Sequence, residues 1–160
     1  MYRLTTSFPY LLNRVGVRIG ALFSERLAPY RVTLPMYRVL AALWERPDQR
    51  LSDLSAVTTV EISTLSRLVG TLKQRGLVSR RRLPDNGRTV AIKLTPKGRA
   101  VTEALIPIAV HFSDVAVRNR SREEVEWMKQ ALSEAYDNLD ELQREVAARA
   151  KSAKAKRRSG

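Results

Sequence analysis

Apolar residues recur at steps of three and four along several stretches of the chain, and this spacing predicts amphipathic helices. The first such stretch covers residues 8–28, and Pro29 ends it. Its apolar positions are Leu11, Leu12, Val15, Ile19, Leu22, Phe23 and Leu27. We therefore expect a first helix that is buried along one stripe.

Two further helices are predicted before residue 60. Thr33 precedes a proline in the first turn and is suited to cap a helix over residues 34–46, which Pro47 stops. Residues 51–57 predict a short helix capped by Ser52. Residues 58–61 then form the turn into the next helix.

Residues 63–75 form the most strongly patterned helix of the chain. Leu65, Leu68, Val69 and Leu72 share one face, and Gly76 is suited to end the helix in a left-handed conformation. The polar side chains that remain face outward: Ser63, Thr64, Ser66, Arg67, Thr71 and Gln74. A short helix, a turn and a helix of this kind predict a helix-turn-helix, whose second helix reads bases from its N-terminal half.

A β-hairpin is predicted after this helix. Residues 77–83 and 88–94 are strand-like and flank the turn sequence Pro84-Asp85-Asn86-Gly87. In the second run Val90, Ile92 and Leu94 alternate with Thr89, Ala91 and Lys93. This alternation predicts a wing with one buried face and one solvated face.

Two long helices complete the predicted fold. Thr95 and Pro96 begin a helix to about residue 118, in which we expect a kink near Pro107, and Ser121 and Glu124 form a capping box for the last one. That last helix carries a heptad seam: Val125, Met128, Leu132, Ala135, Leu139, Leu142 and Val146. The seam can pair two copies of the chain, or it can pack against the first helix within one subunit.

The predicted fold class is thus mainly α with a small β-hairpin wing. Residues 33–95 form a winged helix-turn-helix, and residues 8–32 and 96–148 form an all-helical dimerisation region. Residues 149–160 contain lysine, arginine, alanine and serine without a large apolar side chain, so we expect a flexible basic tail.

Basic residues are concentrated rather than scattered. Residues 67–99 carry ten lysines and arginines against the single acid Asp85, and residues 149–160 carry six and no acid, whereas residues 100–148 hold five basic and ten acidic side chains. The excess of positive charge that gives the net +13 therefore lies mainly in a patch, residues 67–99, and in the tail, residues 149–160. Such a patch attracts double-stranded DNA, either at specific sequences or, as the alternative, in nonspecific compaction by a structural protein.

Composition excludes several classes of function. The chain has no cysteine and one histidine, His111, so thiol chemistry and a zinc site are not expected, and nothing indicates a cofactor. No glycine loop suited to cradle a phosphate is present, which makes an enzyme the weakest hypothesis. Arg14 and Arg18 interrupt the N-terminal apolar stretch, so we expect a cytoplasmic protein without a membrane partner.

With these elements in order, the chain resembles the MarR family of winged helix-turn-helix transcriptional regulators over about residues 8–148. The resemblance is carried by Ser63-Thr-Leu-Ser-Arg67-Leu-Val, Arg75-Gly-Leu-Val-Ser-Arg80, Gly87-Arg88 and Leu94-Thr-Pro-Lys-Gly98, with further likeness at residues 8–14 and 34–40. It implies a homodimer on a pseudo-palindromic operator, usually a repressor, that often responds to a small aromatic or phenolic ligand. One departure is that Asn86 occupies the position where the wing usually carries an aspartate.

The candidate DNA contacts combine this resemblance with the charge pattern. The family's base- and phosphate-contacting turn matches Ser63, Thr64, Ser66 and Arg67, and its wing-tip arginine matches Arg88. The outward helix positions and the first strand add Thr71, Lys73, Arg80 and Arg82. Arg67 and Arg88 could instead be solvated side chains. At least one of the three consecutive arginines 80–82 should be structural or merely solvated, because alternate strand residues face opposite ways.

A ligand pocket is a further hypothesis. Tyr10, Arg14, Tyr30, Tyr37 and Trp44 could line a site for an aromatic acid, with Arg14 holding the carboxylate. They could equally be core aromatics and a surface arginine.

Overall fold

Six α-helices and one two-stranded antiparallel sheet make up the part of the chain that the computed structural model describes, which is residues 1–82 and 90–156, without the side chains of residues 147 and 150–156. The elements follow one another along the chain as α1 (Phe8–Leu27), α2 (Leu34–Glu45), α3 (Leu51–Thr58), α4 (Ile62–Gln74), β1 (Val78–Arg82), β2 (Val90–Leu94), α5 (Pro96–Ala116) and α6 (Arg122–Lys156). This confirms the predicted mainly α fold with a β-hairpin wing. The chain divides into two compact units, Met1–Val115 and Ala116–Gly160.

The core of the first unit is built from the apolar faces of α2, α3 and α4. The fully buried leucines there are Leu40, Leu43, Leu54, Leu65 and Leu72. Phe23 and Leu27 of α1 and Leu105 of α5 join the same cluster. The helix-turn-helix is therefore held by leucine packing, which leaves the opposite face of α4 free for other contacts.

The helix starts confirm two predicted caps and correct one. The Thr33 hydroxyl accepts a hydrogen bond from the Met36 amide at 3.4 Å, and Ser121 and Glu124 exchange the two hydrogen bonds of a capping box. The prediction that Ser52 caps α3 is wrong. Arg50 occupies the N-cap position, and its backbone amide donates to the Asp53 carboxylate at 3.0 Å.

The hairpin pairs Val78 with Leu94 at its base and Arg82 with Val90 at its outer end. The predicted alternation of burial fails in β2, where Ala91 is fully buried and Val90 is exposed. Val90 is at the outer end of the hairpin, whereas a segment before α3 pairs with the middle of β2. In that segment the backbone of Gln49 pairs with Ile92 through two hydrogen bonds of 3.2 and 2.8 Å.

The long terminal helices differ from the sequence expectations in two respects. Most of the apolar stripe of α1 is exposed in the single chain, including Leu11, Leu12, Val15 and Leu22, so only its C-terminal part is buried. The helix α6 continues to Lys156 rather than ending near residue 149, where we expected the flexible tail to begin. Pro107 lies within α5, which continues past it to Ala116.

Candidate nucleic-acid interface

The recognition helix α4 begins on a glutamate that the sequence analysis placed in the turn. The Glu61 carboxylate accepts hydrogen bonds from the backbone amides of Ser63, at 2.9 Å, and Thr64, at 3.2 Å, and from the Ser63 hydroxyl. The bond from the Ser63 hydroxyl, followed by those from the two amides, lowers the pKa of Glu61 below its ordinary value. Glutamate is not among the residues preferred as N-caps, and for that reason the pattern did not reveal it.

The outward face of α4 carries the side chains that the sequence predicted. Leu65, Val69 and Leu72 are buried, and Leu68 is half-buried. The candidate DNA contacts on this helix are all exposed: Ser63, Thr64, Ser66, Arg67, Thr71 and Lys73. Their hydroxyl and guanidinium groups suit the donor and acceptor pattern of base edges and phosphates.

Gly76 ends the recognition helix as predicted. Its φ of 69° lies in the left-handed region, and the Leu77 amide donates to the Leu72 carbonyl at 2.9 Å while the Gly76 amide donates to Lys73. These two bonds are the pattern of a Schellman motif, closed by contact between buried Leu72 and Leu77. The Thr95 hydroxyl then donates to the Gly76 carbonyl at 2.6 Å, which joins the start of α5 to the end of α4.

Arg75 is a structural residue inside the basic segment. Its guanidinium donates to the backbone carbonyl oxygens of Tyr30, at 3.1 Å, and Arg31, at 2.5 Å. Arg31 has a φ of 54°, and the turn between α1 and α2 exposes these carbonyls toward the end of α4. The sequence could not show these contacts, because Arg31 and Tyr30 are 44 and 45 positions away from Arg75 along the chain.

The three consecutive arginines of β1 divide as the strand alternation requires. Arg81 binds the carboxylate of Asp48 through two hydrogen bonds of 2.9 Å, so of the two roles expected for one of these arginines, structural or merely solvated, it has the structural one. All three arginines are exposed, and the alternation of a strand assigns Arg80 and Arg82 to the face opposite that of Arg81. The predicted wing-tip contact Arg88 and the departure at Asn86 lie outside the described residues.

An open groove joins the recognition helix to the wing. Ser66 of α4 lines it together with the three arginines of β1, Arg80, Arg81 and Arg82, and its apolar part is formed by Leu51, Val90 and Ile92. Arginine side chains beside a helix hydroxyl provide hydrogen-bond donors suited to phosphate oxygens. The structure thus brings two of the predicted wing residues and one predicted helix residue to the same groove.

The five predicted ligand-pocket residues do not share one described cavity. Tyr37 packs edge-on against Phe23, with ring centroids 4.7 Å apart, and burial raises its pKa. A small open cavity beside Tyr37 is lined by Arg38, Glu45 and the end of α3, and by none of the other four residues. Tyr10 is half-buried, whereas the other three are exposed: Arg14, Tyr30 and Trp44.

No helix within residues 1–82 and 90–156 is long and apolar enough to cross a membrane. In that part of the chain, no group of three or more histidine, cysteine, aspartate or glutamate side chains could hold a metal ion.

Comparison with known proteins identifies the family. The model of the MarR family matches residues 32–90, which include α2, α3, the recognition helix α4 and the first strand of the wing. The transcriptional repressor Rv2887 of Mycobacterium tuberculosis is 30% identical over 94 residues, which cover 59% of this chain and 68% of that protein. The chain belongs to the MarR family.

Other relatives and solved structures agree with this membership. The transcriptional repressor NicR of Pseudomonas putida is 28% identical over 116 residues, covering 72% of this chain and 73% of that protein. The MarR family regulator of Silicibacter pomeroyi is 28% identical and superimposes with a TM-score of 0.78, covering 86% of this chain and 92% of that one. BpsR of Bordetella bronchiseptica, whose DNA binding is regulated by 6-hydroxynicotinic acid, has a TM-score of 0.76 at 26% identity and covers 86% of this chain and 98% of that one. NicR and the Silicibacter pomeroyi protein are thus regulators of transcription, and BpsR is a DNA-binding protein.

Proposed function

We propose that this protein is a sequence-specific transcriptional repressor that binds a pseudo-palindromic operator as a homodimer. The observation that carries the proposal is the groove in which Ser66 of the recognition helix lies beside Arg80 and Arg82 of the wing. A helix in the major groove and a basic hairpin beside it can then contact base edges and the flanking phosphates of the same half-site.

In this mechanism the recognition helix supplies specificity. Arg67 is exposed on the face opposite Leu65 and Val69, in the N-terminal half of α4, where a helix-turn-helix contacts bases. Glu61 accepts from the backbone amides of Ser63 and Thr64 and so fixes the first turn of the helix, which carries these two candidate contacts. Arg80 and Arg82 contribute phosphate contacts that do not depend on sequence.

The dimer is supported by apolar surface that one chain leaves uncovered. Leu132, Leu139 and Leu142 are exposed along α6, and Leu11 and Val15 are exposed along α1. Exposed apolar stripes of this length are typical of interfaces between subunits. We assign residues 8–32 and 96–148 to the dimerisation region and residues 33–95 to DNA binding.

A small aromatic acid is the class of effector that we propose. BpsR, which covers most of this chain, responds to an aromatic carboxylate. Arg14, Tyr10 and Tyr30 remain the proposed lining of such a site, together with Tyr37 and Trp44. A thermal-shift screen with 6-hydroxynicotinic acid and other aromatic carboxylates tests this part, because a ligand that binds the native state raises the Tm. Absence of any shift at millimolar concentration contradicts it.

The test of sequence-specific binding is Arg67→Ala. The preferred binding site is first selected from random DNA with the wild-type protein. The variant should bind this site more weakly by about 1 to 3 kcal/mol, whereas its affinity for random duplex should change little. Arg26→Ala, an exposed arginine near the end of α1, is the matched control and should bind like the wild type. Failure of the selection to enrich any sequence would instead favour the nonspecific compaction of DNA.

A further inference from the structure

One ion pair of the first unit joins distant parts of the chain. The Arg81 Nε atom donates to Asp48 Oδ1 and its Nη2 atom to Oδ2, each at 2.9 Å. The other ion pairs within residues 1–82 and 90–156 join neighbours three or four positions apart. A side-on pair with two parallel hydrogen bonds holds an arginine in a defined direction, which a single contact does not.

The backbone holds Asp48 in place for this contact. Its φ of 57° lies in the left-handed region, which aspartate and asparagine tolerate better than other side chains. The next residue, Gln49, is fastened to β2 by its two backbone hydrogen bonds with Ile92. The Gln49 side chain also donates to the carbonyl oxygens of Ala42, at 2.6 Å, and Arg46, at 2.7 Å.

The path of the Arg81 side chain follows from the register of the sheet. Arg81 lies opposite Ala91, and Gln49 pairs with β2 from the side away from β1. To reach Asp48, the Arg81 side chain must therefore cross β2 at Ala91, which is fully buried. A methyl group there leaves room for the crossing arginine. The Arg81 side chain remains 47% exposed and lines the same groove as Arg80 and Arg82, but both carboxylate oxygens of Asp48 hold its guanidinium.

We propose that Asp48 is a specificity-determining residue: by holding Arg81, it prevents one of three consecutive wing arginines from adding a sequence-independent phosphate contact. The proposal rests on the proposed DNA-binding function. Each phosphate contact raises affinity for any duplex and steepens its salt dependence by about 0.9 in log K against log[salt]. With a net charge of +13, the protein gains specificity when a cation that reads no base is neutralised within the fold.

Three variants and one comparator test the proposal. Asp48→Asn removes the charge and keeps a side chain that tolerates the left-handed backbone. Arg81→Gln removes the partner of Asp48, and the double variant removes both side chains. Arg80→Gln is the comparator, because it shows how much affinity is lost with a wing arginine that has no such partner among the described residues. Affinity for random-sequence duplex and for the selected binding site is measured by fluorescence anisotropy between about 0.05 and 0.3 M salt.

Asp48→Asn should raise the affinity for random duplex about five- to tenfold at 0.1 M salt and steepen the salt slope by about one. Its affinity for the selected site should rise less, so that the ratio of the two affinities falls. Arg81→Gln alone should match the wild type on random duplex, and the double variant should match Arg81→Gln. Arg80→Gln should weaken binding and reduce the slope by about one.

Three results overturn the proposal. The first is an unchanged affinity and slope in Asp48→Asn, and the second is a loss in Arg81→Gln as large as that in Arg80→Gln. The third is an equal gain in affinity for random duplex when Asp48→Asn is added to the wild type and to Arg81→Gln, because that would be a general effect of removing an acidic side chain. If wild-type protein selects no preferred sequence, the proposed repressor function fails, while the random-duplex measurements still decide the role of Asp48. Thermal unfolding of each variant checks that it is folded, and if Asp48→Asn is not, the comparison of Arg81→Gln with Arg80→Gln decides.

Discussion

A Cβ atom placed on Gly98 would lie 1.8 Å from the carbonyl oxygen of Leu77. The first turn of α5 therefore packs directly on the backbone that follows the recognition helix. The same junction contains the hydrogen bond from the Gly98 amide to the Thr95 hydroxyl oxygen, at 3.0 Å, and that from the Thr95 amide to the Leu77 carbonyl, at 3.0 Å. This gives a physical reason for a glycine at this place in the Leu94–Gly98 motif.

Gly98→Ala should lower the free energy of unfolding by about 3 kcal/mol, because the obstructing atoms belong to the backbone and cannot rotate away. Gly70→Ala in the middle of α4 is the control, since nothing lies within 4 Å of its Cβ position. It should be neutral or stabilise the helix by up to about 1 kcal/mol. Urea unfolding followed by circular dichroism measures both, and equal effects of the two substitutions would contradict the close packing.

Arg75→Lys separates the structural role of this arginine from its charge. Lysine keeps the positive charge but cannot donate to two carbonyl oxygens in a fixed fork, so the free energy of unfolding should fall by about 1 kcal/mol. The salt dependence of DNA binding should stay that of the wild type, because Arg75 binds Tyr30 and Arg31. A reduced salt slope with unchanged stability would place Arg75 in the DNA contact instead.

The cap at Glu61 predicts a dependence of stability on pH. Hydrogen bonds from Ser63 and Thr64 lower the pKa of Glu61 in the folded state, so the cap contributes its full stability above the unfolded carboxyl pKa near 4.5. That contribution is lost as the pH falls through the lower folded value. The wild type should therefore melt above Glu61→Gln at pH 7, and the difference in Tm should shrink toward pH 3.

Other carboxylates with lowered pKa values, including Glu124 and Glu126, protonate in the same pH range. Wild type and Glu61→Gln both contain these carboxylates, so their contribution cancels in the difference between the two Tm values. A difference in Tm that stays constant between pH 7 and pH 3 would show that the Glu61 charge does not stabilise the helix.

Leu139→Glu tests the proposed dimer. Leu139 is exposed in the single chain and lies in the middle of the heptad seam of α6, so a charge there should dissociate the dimer at micromolar concentration. Ser133→Glu adds the same charge outside the seam and should leave the dimer intact. Sedimentation velocity gives the mass of each variant, and a dimer that persists in Leu139→Glu would exclude this seam from the interface.

The sequence by itself determined the elements of this protein, because helical periodicity, caps and turn residues act over a few neighbouring positions. The helix with Leu65, Val69 and Leu72 on one face and Arg67 on the other was predictable, as were the end at Gly76 and the hairpin that follows. The basic segment and the family motifs then indicated DNA. Each of these signals depends on residues that are close together along the chain, and for this reason it can be interpreted without the tertiary structure.

Only the tertiary structure decided which arginines remain available for a ligand. In the sequence, strand alternation separates Arg81 from Arg80 and Arg82, but it does not show what Arg75 or Arg81 binds. In the fold, Arg75 binds the turn after α1 and Arg81 binds Asp48, while Arg80 and Arg82 line the groove beside Ser66. The contacts of Arg75 and Arg81 join residues 33 to 45 positions apart, and they form only when the helices pack. Periodicity along the chain separates the faces of the strand, but it does not identify the distant partners Asp48, Tyr30 and Arg31.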